Sequence, residues 1–185
     1  MLNHHDLLVL PGRHLKLSEL DPAYTHGFKD KADAQDKLEA DIAKLAKLQD
    51  ILFADRSYAV LLVLQGMDSA GKDGAIKHIM SGVNPQGVDI ASFKAPTQEE
   101  LAHDFLWRCS KALPERGRIA IFNRSYYEEV LAVRVHKAFL EEENLPSAAK
   151  GNELWAQRFE EINAFEKHLV RNGTTIVKCF LNISK

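Results

Sequence analysis

Gly66, Gly71, Lys72 and Gly74 stand in the spacing G-x-x-x-x-G-K, inside the run G-M-D-S-A-G-K-D-G. Glycines let the backbone curl so that successive N–H groups point inward. Lys72 adds a full positive charge to the same nest. That is the chemistry of holding phosphate. The expected phosphate-binding loop is therefore Gly66, Met67, Asp68, Ser69, Ala70, Gly71, Lys72, Asp73 and Gly74. The pattern arises by chance in about one chain in twenty of this length. Its context removes most chance hits, because it must follow a strand and open a helix. Lys72 is expected to face solvent, with a role in charge stabilisation and none in core packing. One position departs from the usual loop. Asp73 stands where a Ser or Thr hydroxyl normally holds magnesium. Asp68, inside the loop, is the candidate replacement ligand.

The flanking sequence supplies that context. Residues 58–65, Y-A-V-L-L-V-L-Q, form an apolar, β-branched run suited to a parallel strand buried on both faces. Residues 75–81, A-I-K-H-I-M-S, begin a helix whose positive N-terminal end faces the loop. A second apolar run, R-I-A-I-F at 118–122, ends in Asn123-Arg124-Ser125-Tyr126-Tyr127-Glu128-Glu129. Ligands of open α/β sheets sit beyond the carboxyl ends of the strands. The glycine loop and this polar segment both lie at such ends, so they are expected to share one site. Asn123 occupies the place of a second magnesium-shell acid, and Arg124 is suited to clamp a phosphoryl group. The bland alternative for Arg124 is a salt bridge to Glu128 or Glu129.

The remaining elements frame these two strands. Residues 1–35 read as an irregular arm over the domain, broken by Pro11, Gly12, Pro22 and Gly27. Leu38, Ile42, Leu45, Leu48 and Leu52 recur at helical spacing from about Ala34 to Phe53. Val88 to Phe93 reads as a short strand. Thr97 and Glu100 form a capping box opening a helix that is expected to run to about Leu113. A further helix is expected over Ser125 to Phe139. Asn152 is expected to cap a long helix with the apolar stripe Trp155, Phe159, Ile162, Phe165 and Leu169, closed by Asn172-Gly173. Thr174 to Leu181 reads as a third buried strand. Lys72, Lys77, Lys94, Arg108, Lys111, Arg118 and Arg124 are the cations expected on the strand-end half of the domain.

Composition bounds the rest. The 185 residues carry a formal net charge of −2, with 45% hydrophobic and 27% charged residues. That is ordinary globular composition for one domain. No global basic field argues for nucleic acid. Cys109 and Cys179 lie far apart without metal spacing, and the eight histidines show no ligand spacing. The first residues hold no apolar run long enough for a signal peptide or a membrane span. The expectation is a cytoplasmic protein without nucleic-acid or membrane partners.

Longer stretches add a resemblance. G-M-D-S-A-G-K-D-G at 66–74, V-N-P-Q-G-V at 83–88, S-F-K-A-P-T at 92–97, H-D-F-L-W-R at 103–108 and F-N-R-S-Y-Y-E-E-V-L-A-V-R-V-H at 122–136 resemble polyphosphate kinase family 2. The resemblance implies an α/β fold of three layers, P-loop kinase-like and similar to thymidylate kinase, with a parallel sheet flanked by helices. It implies phosphoryl transfer between inorganic polyphosphate and nucleoside phosphates (AMP, ADP, ATP) with Mg2+. It implies that Lys72 contacts phosphate oxygens, that Asp68 is an essential acid near magnesium, and that Asn123, Arg124 and Glu128 belong to the nucleotide-binding motif. Asn at 123, with Glu128 after Tyr-Tyr, resembles the subgroup acting on both AMP and ADP.

The ending carries its own expectation. A parallel strand buried on both faces normally leads into a covering helix. None follows 174–181, and no Arg-rich lid is evident after residue 139. The sequence therefore reads as one phosphotransferase domain lacking a C-terminal part. An apolar face around Ile176, the neighbours of Cys179, and Leu181 should lack cover, which favours further chain or a homo-oligomer. Two other functions fit the loop alone. One is a nucleotide-driven small-molecule or nucleoside monophosphate kinase. The other is a phosphate-binding module without turnover.

Overall fold

Leu61 and Val63 of the first strand point to one face of the sheet, and Val60, Leu62 and Leu64 to the other. A strand with apolar residues on both faces must be covered twice, and it is. In the computed structural model, which describes residues 7–25, 27–146 and 151–183, this strand is β1, Ala59–Gly66. It lies between β3 (Ile119–Asn123) and β4 (Thr174–Leu181), and β2 (Val88–Ser92) lies outside β3. All pairings are parallel, in the order β2-β3-β1-β4. Leu61, Val63, Ala120 and Phe122 pack with Ile162 and Leu169 of α7 (Asn152–Arg171). Leu64, Ile119 and Ile121 pack with Ile76 of α2 (Lys72–Ile79) and Leu52 of α1 (Lys31–Asp55) on the opposite side. The result is the expected three-layer α/β domain.

The topology opens a crevice. The chain leaves β1 into α2 on one face. It leaves β3 toward α7, which covers the other face. Helices that depart to opposite faces part the two neighbouring strand ends, and ligands of such sheets bind there. Leu64 pairs with Asn123 across that point, so the glycine loop and the Asn123 segment start side by side.

Several elements differ from expectation. The helix expected from Thr97 to Leu113 is two short ones, α3 (Gln98–Leu101) and α4 (Trp107–Lys111). The capping box is present, with Thr97 N–H donating to Glu100 Oε2 and Glu100 N–H donating to Thr97 Oγ1. Asp104 then accepts from the N–H of Leu106 at 3.0 Å and restarts the chain. That break turns Phe105 and Arg108 inward. The segment 125–139 is not one helix either. Ser125 Oγ accepts from Tyr127 N–H, and a 3-10 turn at Tyr126–Glu129 leads into α5 (Ala132–Val135) and α6 (Lys137–Glu142). Tyr126, Glu129, Val130 and Val133 are all buried, so the segment keeps a helical inner face although its backbone is broken.

On α1, Leu38, Ile42, Leu45 and Leu52 are half-buried, but Leu48 is exposed. Gln49 takes the inward position, against Gly87, where a Cβ would stand 1.8 Å from its Nε2. On α7, Asn152 is the first residue and Gly151 takes the cap position. Phe159 is exposed, and the inner stripe runs Leu154, Arg158, Ile162, Leu169. The described residues of the arm before α1 are mostly exposed, Leu7 to Leu10 and Leu17 included, and do not pack over the domain as expected. Among the described residues β4 is an edge strand and is not buried on both faces. Val177 and Phe180 are its exposed apolar residues, whereas Ile176 packs on the α7 core and Cys179 on the opposite one. Leu181 is half-buried beside Gly66. The polar stretch after α6 lies partly outside the described residues.

Candidate active site

The glycine loop is built as its sequence demands. Ser69 and Gly71 both have positive φ (66° and 80°), and the chain then enters α2 at Lys72. At Gly66 a Cβ would stand 3.0 Å from the Leu181 carbonyl and 3.2 Å from Ala70 Cβ, so the loop starts where only glycine fits. Lys72 contradicts the expectation that it faces solvent. It is 8% exposed, and its Nζ donates to the carbonyls of Gly66 and Met67, both at 2.9 Å. The ammonium thus lies folded into the nest, where a phosphate oxygen can exchange for a carbonyl.

The end of β3 meets this loop through two contacts. Arg124 has φ of 64°, uncommon for a residue with a side chain and costly by about 1–3 kcal/mol. Its N–H donates to the Leu64 carbonyl at 3.0 Å. That turn aims its guanidinium across the crevice, where Nη2 donates to Asp68 Oδ1 at 2.5 Å. The pair with Glu128 or Glu129, the bland alternative for Arg124, does not form. Asn123 Nδ2 donates to Asp73 Oδ1 at 2.6 Å. Asp68 is 87% exposed, and an ion pair that open to water is worth under about 1 kcal/mol. Arg124 can therefore leave Asp68 for an arriving phosphoryl group at small cost. Asp68, Lys72, Asp73, Lys94, Asn123 and Arg124 line one cleft of about 650 Å³. All loop and strand-end candidates except Glu128 meet in it or frame it.

Glu128 lines a second pocket, of about 190 Å³, that joins the first at Phe93, Lys94, Ala95 and Arg124. Phe93, Phe105 and Phe139 give it apolar walls, and Glu100, Glu128, Glu129 and Glu143 give it carboxylates. Gln65, the last side chain of β1, supports it from below. With its amide turned to satisfy both ends, Nε2 donates to Glu128 Oε1 at 2.9 Å and the carbonyl accepts from Ser125 Oγ at 3.0 Å. Sequence reasoning missed Gln65, although a polar residue closing an apolar strand is a visible signal. It missed Glu129, Glu143 and Arg158 as well.

Other cations separate by position. Lys94 lines the cleft and Arg108 the pocket. Arg118 precedes β3 and so lies at the far end of the sheet, bound to Asp89 at 2.6 and 2.7 Å. It has no part in the site. Lys111 lies over the Trp107 ring at 4.2 Å, and Lys77 is exposed on α2.

Magnesium asks for one or two carboxylates, with phosphate oxygens and water completing its shell. Asp68 and Asp73 are hard oxygen donors at the loop mouth, each in contact with a neutral or cationic group across the crevice. That donor set fits the ion.

Burial and the neighbouring Glu143 push the Glu129 carboxyl up to about 7, against the pull of Arg158 and Arg108. The ordinary value is 4.5. Between those two values the folded protein holds a proton that the unfolded chain releases. Stability from this group is full below about 4.5 and is lost as pH rises toward 7. The contribution of this group to the melting temperature should therefore decline from pH 5 to pH 7.5. Glu129→Gln should flatten that slope, and an unaltered slope in the variant would assign the decline elsewhere.

With this geometry in place, similarity to known proteins becomes specific. Residues 28–185 match the family model described as Polyphosphate kinase 2. The chain is 49% identical over 169 residues to the "ADP-polyphosphate phosphotransferase" of Rhodopseudomonas palustris, covering 91% of this chain and 57% of that protein. It is 44% identical over 178 residues to the "AMP/ADP-polyphosphate phosphotransferase" of Meiothermus ruber, covering 96% and 62%. The crystal structure of Polyphosphate Kinase 2 from Arthrobacter aurescens TC1 superposes with a TM-score of 0.83 at 42% identity, over 95% of this chain and 59% of that one. The chain thus spans about three fifths of the length of these relatives. The match runs through the phosphate loop, both strand ends and the pocket behind them, and the chain belongs to the polyphosphate kinase 2 family.

Proposed function

We propose that this chain transfers phosphoryl groups between inorganic polyphosphate and AMP or ADP. The observation that carries the reading is the junction of two unlike cavities at Arg124. One is the cleft at the loop, where Lys72, Lys94 and Arg124 supply cations, suited to a chain of phosphates. The other has aromatic walls and carboxylates, suited to the donors of a base and ribose. Arg124 stands between them, where the transferred group must pass. Membership of the family supports the same substrates.

The chemistry needs little beyond position and charge. An oxygen of the nucleotide's terminal phosphate attacks the end phosphorus of polyphosphate. The P–O–P bond breaks, and the shortened polyphosphate leaves with the bonding pair. Lys72 neutralises the phosphate held by the loop, and Arg124 neutralises the group in transit. Asp68, with Asp73 beside it, would hold Mg2+, which supplies further neutralisation of the phosphates when bound. Glu128 and Gln65 fix the acceptor. Nucleotide substrates support a cytoplasmic reaction. Exposed Val177 and Phe180 on β4 support a homo-oligomer.

The test supplies polyphosphate, AMP or ADP and Mg2+ without ATP. Formation of ADP or ATP is the expected result. Turnover only when ATP is the donor would replace the reading with a nucleotide-driven kinase. Binding of polyphosphate without turnover would make the chain a phosphate-binding module.

A further inference from the structure

Among the described residues of α7, Arg158 is the one charged residue that is fully buried, at only 2% exposed. Its Nη1 donates to Glu129 Oε2 at 2.6 Å, and its Nη2 donates to Glu143 Oε2. Its guanidinium lies 4.6 Å from the centre of the Phe105 ring. These three partners belong to three different segments. Glu129 ends the 3-10 turn that carries Glu128. Glu143 follows α6. Phe105 precedes α4. All three line the carboxylate pocket, and Arg158 lies behind them.

The tie extends further. Glu129 Oε1 faces Arg108 Nη2 at 3.9 Å, and Arg108 Nη1 donates to the Lys94 carbonyl at 2.8 Å. Arg108 also faces Glu100 at 3.8 Å. One connected network therefore runs from α7 through the pocket wall to the cleft that holds Lys94. It contains Arg108, Arg158, Glu100, Glu129 and Glu143, and none of the loop residues 66–74.

A buried ion network is a poor device for stability, because desolvation cancels most of the attraction. An apolar side chain at position 158 would hold α7 in place as well, as Ile162 and Leu169 do on the same stripe. What an apolar residue cannot do is fix two carboxylates in direction. The planar fork of an arginine does so, and a lysine ammonium does not. On these grounds we propose that Arg158 is a positioning residue for the nucleotide acceptor, which sets the walls of its pocket by holding Glu129 and Glu143 from behind. The inference rests on the pocket being the acceptor site of the proposed reaction.

Arg158→Lys separates positioning from bulk stability, since it keeps the charge and loses the fork. The KM for ADP should rise about tenfold, with the KM for polyphosphate within twofold of the unaltered chain. Melting should show both proteins folded. Glu143→Ala, which removes one tether and leaves the Arg158–Glu129 contact, should shift the same KM by a smaller factor. It serves also if the lysine variant does not fold. Calorimetric titration with ADP alone should report the same loss of affinity. Both KM values unchanged, or both raised equally in step with a lowered melting temperature, would overturn the inference and leave Arg158 a structural residue. Failure of the unaltered chain both to bind ADP and to turn over would overturn the proposed function, and the inference with it.

Discussion

Lys72→Ala is expected to lower the rate of phosphoryl transfer from polyphosphate at least a hundredfold. A single preorganised donor to developing charge is worth about 10²–10³ in rate. Lys72 is the sole cation of the loop, so no neighbour inside it takes over. Its position adds a second effect. Nζ is held by the Gly66 and Met67 carbonyls, so the variant also leaves two loop carbonyls without their donor. Each such bond contributes about 1 kcal/mol net, which in a domain of this size shifts melting by roughly 2–4 °C. The expected pattern is a folded protein, melting a few degrees lower, with transfer near background. Initial rates of ATP formation from polyphosphate and ADP, beside a thermal melt, measure both. Retention of more than about a tenth of the rate would remove Lys72 from the chemistry, since a working clamp is worth at least tenfold.

Those two effects mark how far sequence reading reached. The loop, its two flanking elements and the strand end that faces it were legible, because glycine spacing and apolar runs are local signals. The orientation of Lys72 was not. A lysine in a nest has phosphate or carbonyl oxygens to choose from, and only the fold shows that Gly66 and Met67 carbonyls lie within reach. The order of strands was not legible, since Thr174 to Leu181 looks as apolar as β1 and yet lies at the edge of the described sheet. Asp104 and Ser125 are side chains that cap backbone N–H groups, and each ends one local path and starts another. Their effect is to deliver Phe105, Arg108, Glu128 and Glu129 to one pocket. Arg158 had a signal after all. A charge four residues from both Leu154 and Ile162 on the inner face of a helix requires a buried partner, and Glu129 and Glu143 are those partners.

Asp68→Asn is expected to be the more damaging of the two changes across the crevice, with Asn123→Ala the milder. Asp68 is exposed and packs against nothing, so its loss should leave the melting temperature within about 1 °C. Turnover should nevertheless fall by about a hundredfold or more. The carboxylate is the loop's freest hard oxygen donor, and it is the group that holds Arg124 beside the phosphate nest. Asn123→Ala removes only the bond from Nδ2 to Asp73, a neutral donor on a carboxylate that keeps its charge. A loss of about tenfold fits a misplaced Asp73. Magnesium titration separates the two roles open to Asp68. A ligand role predicts that Asp68→Asn needs more Mg2+ for half-maximal rate and recovers part of its turnover at high Mg2+. No recovery at any concentration would mean that Asp68 acts by placing Arg124. In that case Arg124→Lys, which keeps the charge and loses the planar fork, should reproduce the defect with an unaltered magnesium requirement.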